Sequence, residues 1–89
     1  GTTGGDLPTF KIEKSALVKG LTLFEAYKDT AGLAKSNGEV RRLVVQGGAR
    51  INDIQISSVD YLITTLDVNN QGLIKLSSGK KRHSLLRPV

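Results

Sequence analysis

The sequence predicts an α+β domain in which a small helix pair packs on a largely antiparallel sheet. Two capping motifs, T-x-x-E at Thr22–Glu25 and S-x-x-E at Ser36–Glu39, each begin a segment whose apolar residues repeat at helical spacing. After Gly48 the pattern changes to short apolar runs separated by turn residues, which is typical of strands. Only a few residues separate the helices, so we expect them to pack as a compact pair.

The segment before the first helix divides into three short parts. Residues 1–6 are rich in Gly and Thr and are interpreted as a linker or a cloning remnant, which leaves residues 7–89 as the domain. Residues 7–12 have an extended pattern, and Pro8 disfavours helix at the residue before it. Residues 13–20 are predicted to form a brief helical turn. The absence of Met suggests a piece of a longer protein.

Both predicted helices have an apolar stripe and a glycine stop. The first spans Thr22–Ala31 and ends at Gly32, which supplies the left-handed conformation that commonly terminates a helix. Its stripe comprises Leu23, Phe24, Tyr27 and Ala31. The second spans Ser36–Gln46 and stops at Gly47-Gly48. Its inward face comprises Val40, Leu43 and Val44.

The C-terminal half is predicted to form short strands. Ala49–Ile51 and Ile54–Ile56 flank Asn52-Asp53, a residue pair that suits a two-residue hairpin turn. Turns are also predicted at residues 69–72 and 78–80, where Gly, Asn and Ser are concentrated. The remaining predicted strands are Tyr61–Thr64, Leu73–Leu76 and Arg82–Leu86.

The net charge of +5 is distributed unevenly along the chain. Residues 30–52 carry four basic residues and one acid, and residues 75–89 carry five basic residues and no acid. The segment between them, residues 53–74, carries three acids and no basic residue. Clustered basic charge is the usual electrostatic footprint of a polyanion partner, so the composition favours nucleic acid binding.

Residues that would support catalysis are scarce. With no Cys and a single His, neither a thiolate metal site nor a His cluster can form from this chain. His83 neighbours Ser84, but adjacent strand residues point to opposite faces, so we interpret His83 as an ordinary strand residue. Gly47-Gly48 lacks the Lys-Ser/Thr ending of a phosphate-binding loop. We therefore expect no catalytic residue, no metal site and no cofactor in this domain.

The basic residues near the second helix are the best candidates for binding RNA. Lys35 and Ser36 lie at the helix start, where free N–H groups and the positive end of the dipole favour a phosphate. Arginine offers a planar donor fork that suits phosphate, and helical geometry places Arg42 nearly opposite the buried face. The complete predicted RNA-binding set is Lys35, Ser36, Asn37, Arg41, Arg42, Gln46, Arg50, Lys80, Lys81 and Arg82. The few aromatic residues form no stacking platform, which favours recognition of folded RNA by shape and backbone.

The segment Gly32–Ile56, GLAKSNGEVRRLVVQGGARINDIQI, resembles the S-four RNA-binding domain, named after a small-subunit ribosomal protein. The matching positions are Ser36, Val40, Arg41, Leu43, Gly47, Ile51 and Asn52. The flanking motifs LPTFKI, QGG and GKKR narrow the resemblance to the C-terminal domain of bacterial and mitochondrial tyrosyl-tRNA synthetases.

The chain departs from that family pattern where positive charge is usual. Asn37 stands where a basic residue follows the helix-start Ser, and Val45 stands where a Lys often precedes Gln-Gly. Ser77-Ser78 replaces two arginines before Gly-Lys-Lys, and Asp53 replaces the hairpin Gly. Fewer positive charges imply weaker or altered contacts with RNA.

The resemblance implies a non-catalytic module that holds tRNA at the anticodon stem and the variable arm. The parent enzyme would join tyrosine to its tRNA in a separate catalytic domain, using ATP and Mg²⁺, and would form a homodimer through that domain. Its expected compartment is the bacterial cytoplasm or the mitochondrial matrix, and no membrane is involved.

Two alternatives share the same type of domain. One is an RNA-modifying enzyme such as a pseudouridine synthase, in which the module usually comes first, so that a chain ending at Val89 argues against it. The other is a ribosome-associated protein.

Overall fold

The computed structural model describes residues 7–89, so the predicted linker at residues 1–6 lies outside the described residues. The elements in chain order are β1 Thr9–Ile12, α1 Lys14–Lys19, β2 Leu21–Thr22, a π-helical segment Glu25–Thr30, α2 Asn37–Val45, β3 Ala49–Ile51, β4 Ile54–Gln55, β5 Leu62–Ile63, a 3-10 turn Thr65–Asp67, β6 Ile74–Ser78 and β7 Arg82–Pro88. The predicted extended segment, helical turn, helix pair and C-terminal strands all form, but β4 ends one residue before the predicted Ile56, β5 lacks Tyr61 and Thr64, and Thr22 belongs to β2 instead of the first helix. The predicted strand ends at Leu73–Leu76 and Arg82–Leu86 were wrong, because β6 begins one residue later and extends two residues further and β7 extends two residues further.

Five strands form the main sheet, in the order β1-β7-β6-β3-β4. The pair β1–β7 is parallel and the other pairs in this sheet are antiparallel, which confirms a largely antiparallel sheet. Strands β2 and β5 pair separately. The parallel pairing with β1 reaches Pro88. This non-local contact explains why β7 is longer than the strand predicted from its own apolar pattern.

The β3–β4 hairpin has the predicted two-residue turn. Asn52 and Asp53 both have positive φ, 51° and 69°, the combination that a type I′ turn requires. The Asn52 side chain donates to the Asp67 carbonyl at 2.6 Å and accepts from the Lys75 amide at 3.0 Å. Asn52 therefore holds the hairpin against both the 3-10 turn and β6.

The first predicted helix forms, but with a wider turn than expected. Residues Glu25–Thr30 are π-helical, and the Ala31 amide donates to the Ala26 carbonyl five residues back at 3.0 Å. Apolar spacing alone does not distinguish this ladder from an α-helical one. The Thr22 hydroxyl accepts from the Glu25 amide and donates to the Glu25 carboxylate. A full capping box would instead join that carboxylate to the Thr22 amide.

Tyr27 connects this helix to the sheet. Its buried hydroxyl lies 2.9 Å from the carbonyl oxygen of Arg50 on β3 and 3.0 Å from that of Ser77 on β6. Its own carbonyl oxygen accepts from the amides of Leu33 and Ala34 at 2.7 and 3.1 Å. Tyr27 thereby fixes the sheet and the loop that leads into α2 to the same turn of helix.

The start of α2 is capped as predicted, with one difference. Ser36 accepts from the Glu39 amide at 3.2 Å, while the Glu39 carboxylate accepts from the Lys35 amide at 2.9 Å instead of the Ser36 amide. The carboxylate thus satisfies the donor one position before the cap. Val40 and Val44 are buried against the core, as the apolar spacing predicts, and Gly47 ends the helix with φ 79°.

Replacing the hairpin Asn should destabilise the domain through its two side-chain bonds. We expect Asn52→Gly to lower the free energy of unfolding by about 1–2 kcal/mol, because Gly accepts the positive φ but cannot replace those bonds. Asp53→Gly is the matched control: it suits the same turn and loses only an exposed ion pair with Lys75, worth at most about 1 kcal/mol. Urea unfolding measures both variants, and equal losses would contradict the role of Asn52.

The two tyrosines should make the folded state lose stability at high pH. Burial raises the pKa of Tyr27 from 10.0 to about 12, and the hydrogen bond to Asp67, followed by burial, raises the pKa of Tyr61 to about 12. Since the folded state holds these protons more tightly, their stabilisation is complete below pH 10.0 and is lost as the pH rises towards about 12.

Tyrosinate absorbance measures this titration directly, because Tyr27 and Tyr61 are the only two tyrosines. The native titration should lie above that of the urea-unfolded chain. Tyr61→Phe should remove one of the two raised transitions and leave the other. Native phenols that titrate with the same midpoint as the unfolded chain would refute the burial of Tyr27 and the Tyr61–Asp67 bond.

Candidate RNA-binding surface

The predicted basic residues at α2 are exposed, and they divide between two sides of the helix. Lys35, Asn37, Arg41 and Arg42 all lie at the surface around its first turns. The guanidinium of Arg41 lies 5.4 Å from the centroid of the Phe24 ring, a cation–π distance. Arg42 lies on the other side and faces a groove, so α2 presents its two arginines in different directions.

That groove runs between α2 and the end of the β6–β7 hairpin. It has a volume of about 200 Å³. Its walls are Leu33, Ala34, Glu39, Arg42, Leu43, Gln46, Ser78 and Arg82. The fold thus brings together three of the predicted residues, Arg42, Gln46 and Arg82, from segments far apart in the sequence.

The turn Gly79–Lys81, here called the basic turn, is fixed from several sides. Gly79 has φ 72° and donates its amide to the Gly48 carbonyl at 2.9 Å. The Arg82 guanidinium donates to the Gly32 carbonyl at 3.4 Å, so it reaches the loop before α2. These contacts place the basic turn beside α2.

Close packing between Gly48 and its neighbours keeps the basic turn near the end of α2. A Cβ atom at Gly48 would lie 2.8 Å from Leu43 Cδ1 and 3.3 Å from the Gly79 amide nitrogen. Both distances are shorter than an ordinary van der Waals contact. The second Gly of Gly47-Gly48 therefore permits this approach, beyond its predicted role in stopping the helix.

The candidate cations do not pair with acids of the same domain. The ion pairs within residues 7–89 are Lys28–Asp29 and Lys75–Asp53, and both lie outside the predicted set. Lys80 and Lys81 are exposed on the basic turn. The surface therefore offers donors that form no ion pair within residues 7–89 to a polyanion.

Arg50 stands apart from the rest of the predicted set. It is exposed on β3, where it pairs with Ser77 of β6 and Gln55 of β4. Within residues 7–89 no hydrogen bond or ion pair joins its side chain to the groove. Its backbone carbonyl has a structural role instead, as an acceptor for Tyr27.

Sequence analysis missed two residues beside this surface. Phe24 was assigned to the apolar stripe, but it is only partly buried and its ring faces Arg41. His83 was interpreted as an ordinary strand residue, yet its ring contacts both Ser77 and the basic turn. No local sequence pattern indicates the contact between Phe24 and Arg41, because a loop separates them. The contact of His83 with the basic turn could have been suspected, because His83 lies close behind that turn in the sequence.

Neither a metal site nor a membrane-spanning helix is found within residues 7–89. No group of three or more His, Asp or Glu residues within residues 7–89 is placed to hold a metal ion. The helices of this part of the chain are too short or too polar to cross a membrane.

The similar proteins found by comparison are tyrosine–tRNA ligases from several bacteria. No protein-family model matches the chain. The tyrosine–tRNA ligase of Rhodospirillum rubrum is 52% identical over 87 residues, which cover 98% of this chain and 20% of the ligase. That of Bartonella quintana is 49% identical over 88 residues, covering 99% of this chain and 21% of the ligase. That of Gluconobacter oxydans is 42% identical over 89 residues, covering 100% of this chain and 21% of the ligase.

The chain spans about a fifth of the length of these relatives. The matched part is their C-terminal region, as the flanking motifs predict. The resemblance is thereby confirmed, and the chain corresponds over its whole length to the C-terminal region of bacterial tyrosine–tRNA ligases.

Proposed function

We propose that this domain binds tRNA, with tyrosine tRNA as its natural ligand, and holds it for tyrosylation elsewhere in the parent enzyme. The observation that supports this most strongly is the joint surface of α2 and the basic turn, whose exposed cations form no ion pair within residues 7–89. The relatives are named tyrosine–tRNA ligases, and this name supports the choice of RNA.

The geometry of the surface suits the backbone of a folded RNA. Arg42 and Arg82 line the groove, and guanidinium groups bind phosphate through two parallel hydrogen bonds. Lys80 and Lys81 add point charges beside the groove, and Lys35 adds another at the start of α2. Because no cluster of aromatic residues accompanies them, backbone contacts should outweigh base stacking.

The contribution of such a domain to catalysis is positional. Contacts far from the reacting atoms orient the acceptor end of the tRNA, so that part of the binding energy lowers the entropic cost of the reaction. The anticodon stem and the variable arm are the proposed contact regions. The parent enzyme is proposed to use ATP and Mg²⁺ and to dimerise outside this domain, in the bacterial cytoplasm or the mitochondrial matrix.

A salt titration of tRNA binding tests the proposed surface. If roughly four phosphates are contacted, a plot of log affinity against log salt should have a slope of about −3 to −4. Arg42→Ala, which removes a guanidinium from the groove, should weaken binding and make the slope shallower by about one unit, since each lost phosphate contact releases one counterion fewer.

Lys14→Ala provides the control for the loss of one positive charge. Lys14 is exposed at the start of α1, which packs against the 3-10 turn, and it does not line the groove. This variant should keep the wild-type slope. Equal losses from Arg42→Ala and Lys14→Ala would mean that only net charge matters, and the proposed surface would be refuted. Preference for ribosomal RNA over tRNA would favour a ribosome-associated function instead.

The isolated domain should bind RNA without performing the chemistry of the parent enzyme. We expect no tyrosine-dependent exchange of pyrophosphate with ATP, because the described residues provide no clustered acid, base or phosphate-binding loop. Exchange above the background of a mock purification would contradict this expectation.

A further inference from the structure

His83 contacts the basic turn through one ring nitrogen and the sheet through the other. Its Nε2 lies 3.1 Å from the carbonyl oxygen of Lys80, and its Nδ1 lies 2.7 Å from the hydroxyl oxygen of Ser77. Ser77 and His83 face each other across the β6–β7 pair. The ring therefore bridges the buried surface of the sheet and the exposed turn.

These two partners determine where the proton of the neutral ring resides. A carbonyl oxygen only accepts, so Nε2 must carry the hydrogen that bonds to Lys80. Nδ1 then accepts from the Ser77 hydroxyl, which is 1% exposed and has little access to water. The Lys80 carbonyl thus selects the Nε2–H tautomer of His83, and the Ser77 hydroxyl can donate to the other ring nitrogen.

The bond from His83 has few substitutes. Gly79 is held by Gly48, and Arg82 reaches Gly32, but both contacts lie at the two ends of the basic turn. Within residues 7–89, the hydrogen bond from His83 is the one that reaches the backbone between those ends, at the carbonyl of Lys80. Without it, the backbone at Lys80 and Lys81 would have more conformations available.

We infer that His83 is a positioning residue for RNA binding, which fixes the backbone of the basic turn so that Lys80 and Lys81 meet phosphates without first being ordered. This inference rests on the proposed function. A turn that is fixed before binding loses less conformational entropy on association, and the difference appears as affinity. The effect is transmitted through the two lysines, because His83 itself need not touch the RNA.

Two substitutions separate the two bonds of the ring. In His83→Gln the side-chain amide reaches the position of Nε2 and can donate to the Lys80 carbonyl. In His83→Asn the shorter amide reaches only the position of Nδ1, opposite Ser77. Both variants lose the imidazole, so urea unfolding should show similar losses of stability. A difference in RNA affinity between them then reflects the bond to the basic turn.

We expect His83→Gln to bind tRNA within about twofold of wild type. We expect His83→Asn to bind about three- to tenfold more weakly, the range that corresponds to one net hydrogen bond. In a background that carries Lys80→Ala and Lys81→Ala, His83→Asn should cost no further affinity, since the residues through which it acts are gone. Imidazole ¹⁵N shifts of the wild-type domain should show the Nε2–H tautomer.

Three results would overturn the inference. The first is that His83→Asn binds tRNA as tightly as the wild type, and the second is that His83→Asn costs as much affinity in the Lys80→Ala/Lys81→Ala background as in the wild type. The third is that the wild-type ring is in the Nδ1–H tautomer. The first two leave the proposed function standing if Lys80→Ala/Lys81→Ala itself weakens binding. If the wild-type domain binds no tRNA, the proposed function fails and the positioning role fails with it.

Discussion

The hydroxyl of Tyr27 is the contact on which the candidate surface depends. It reaches the carbonyls of Arg50 and Ser77, residues that oppose each other on β3 and β6, while the Tyr27 carbonyl accepts from two amides of the loop before α2. One residue thereby sets where α2 begins relative to the strand that leads into the basic turn. Leaving a buried carbonyl such as that of Ser77 without a donor costs about 1–3 kcal/mol, a large fraction of the stability of a small domain. A surface made of flexible cations is thus held in place by a buried, uncharged group.

The structure explains the uneven distribution of charge along the chain. The basic segments meet at the groove, although Arg42 and Arg82 are far apart in sequence. The acidic segment between them is partly engaged in local structure. Asp67 accepts from the Tyr61 hydroxyl at 2.6 Å and from the Thr64 amide at 3.0 Å, and Asp53 pairs with Lys75. Acids in these positions stabilise the fold without neutralising the candidate surface.

Local sequence signals account for most elements, and long-range contacts account for what was missed. Capping residues, glycine stops and the Asn52-Asp53 turn are properties of a few neighbouring residues, so they could be predicted. The π-helical ladder could not, because apolar spacing does not distinguish it from an α-helix. The groove, the Phe24–Arg41 contact and the two bonds of His83 depend on how strands and helices pack. Local sequence patterns do not reveal that packing. Charge clustering and helical geometry predicted that the basic residues near α2 are exposed, but not that Arg42, Gln46 and Arg82 share a groove.

The central claim is that α2 and the basic turn form one surface that contacts tRNA. The most direct measurement is a titration of the ¹⁵N-labelled domain with tRNA, followed through its backbone amide shifts. The claim predicts that perturbed amides concentrate in residues 35–46 and 78–83, with residues 53–74 little affected. Perturbation centred on the acidic residues 53–74, or on α1 alone, would contradict it.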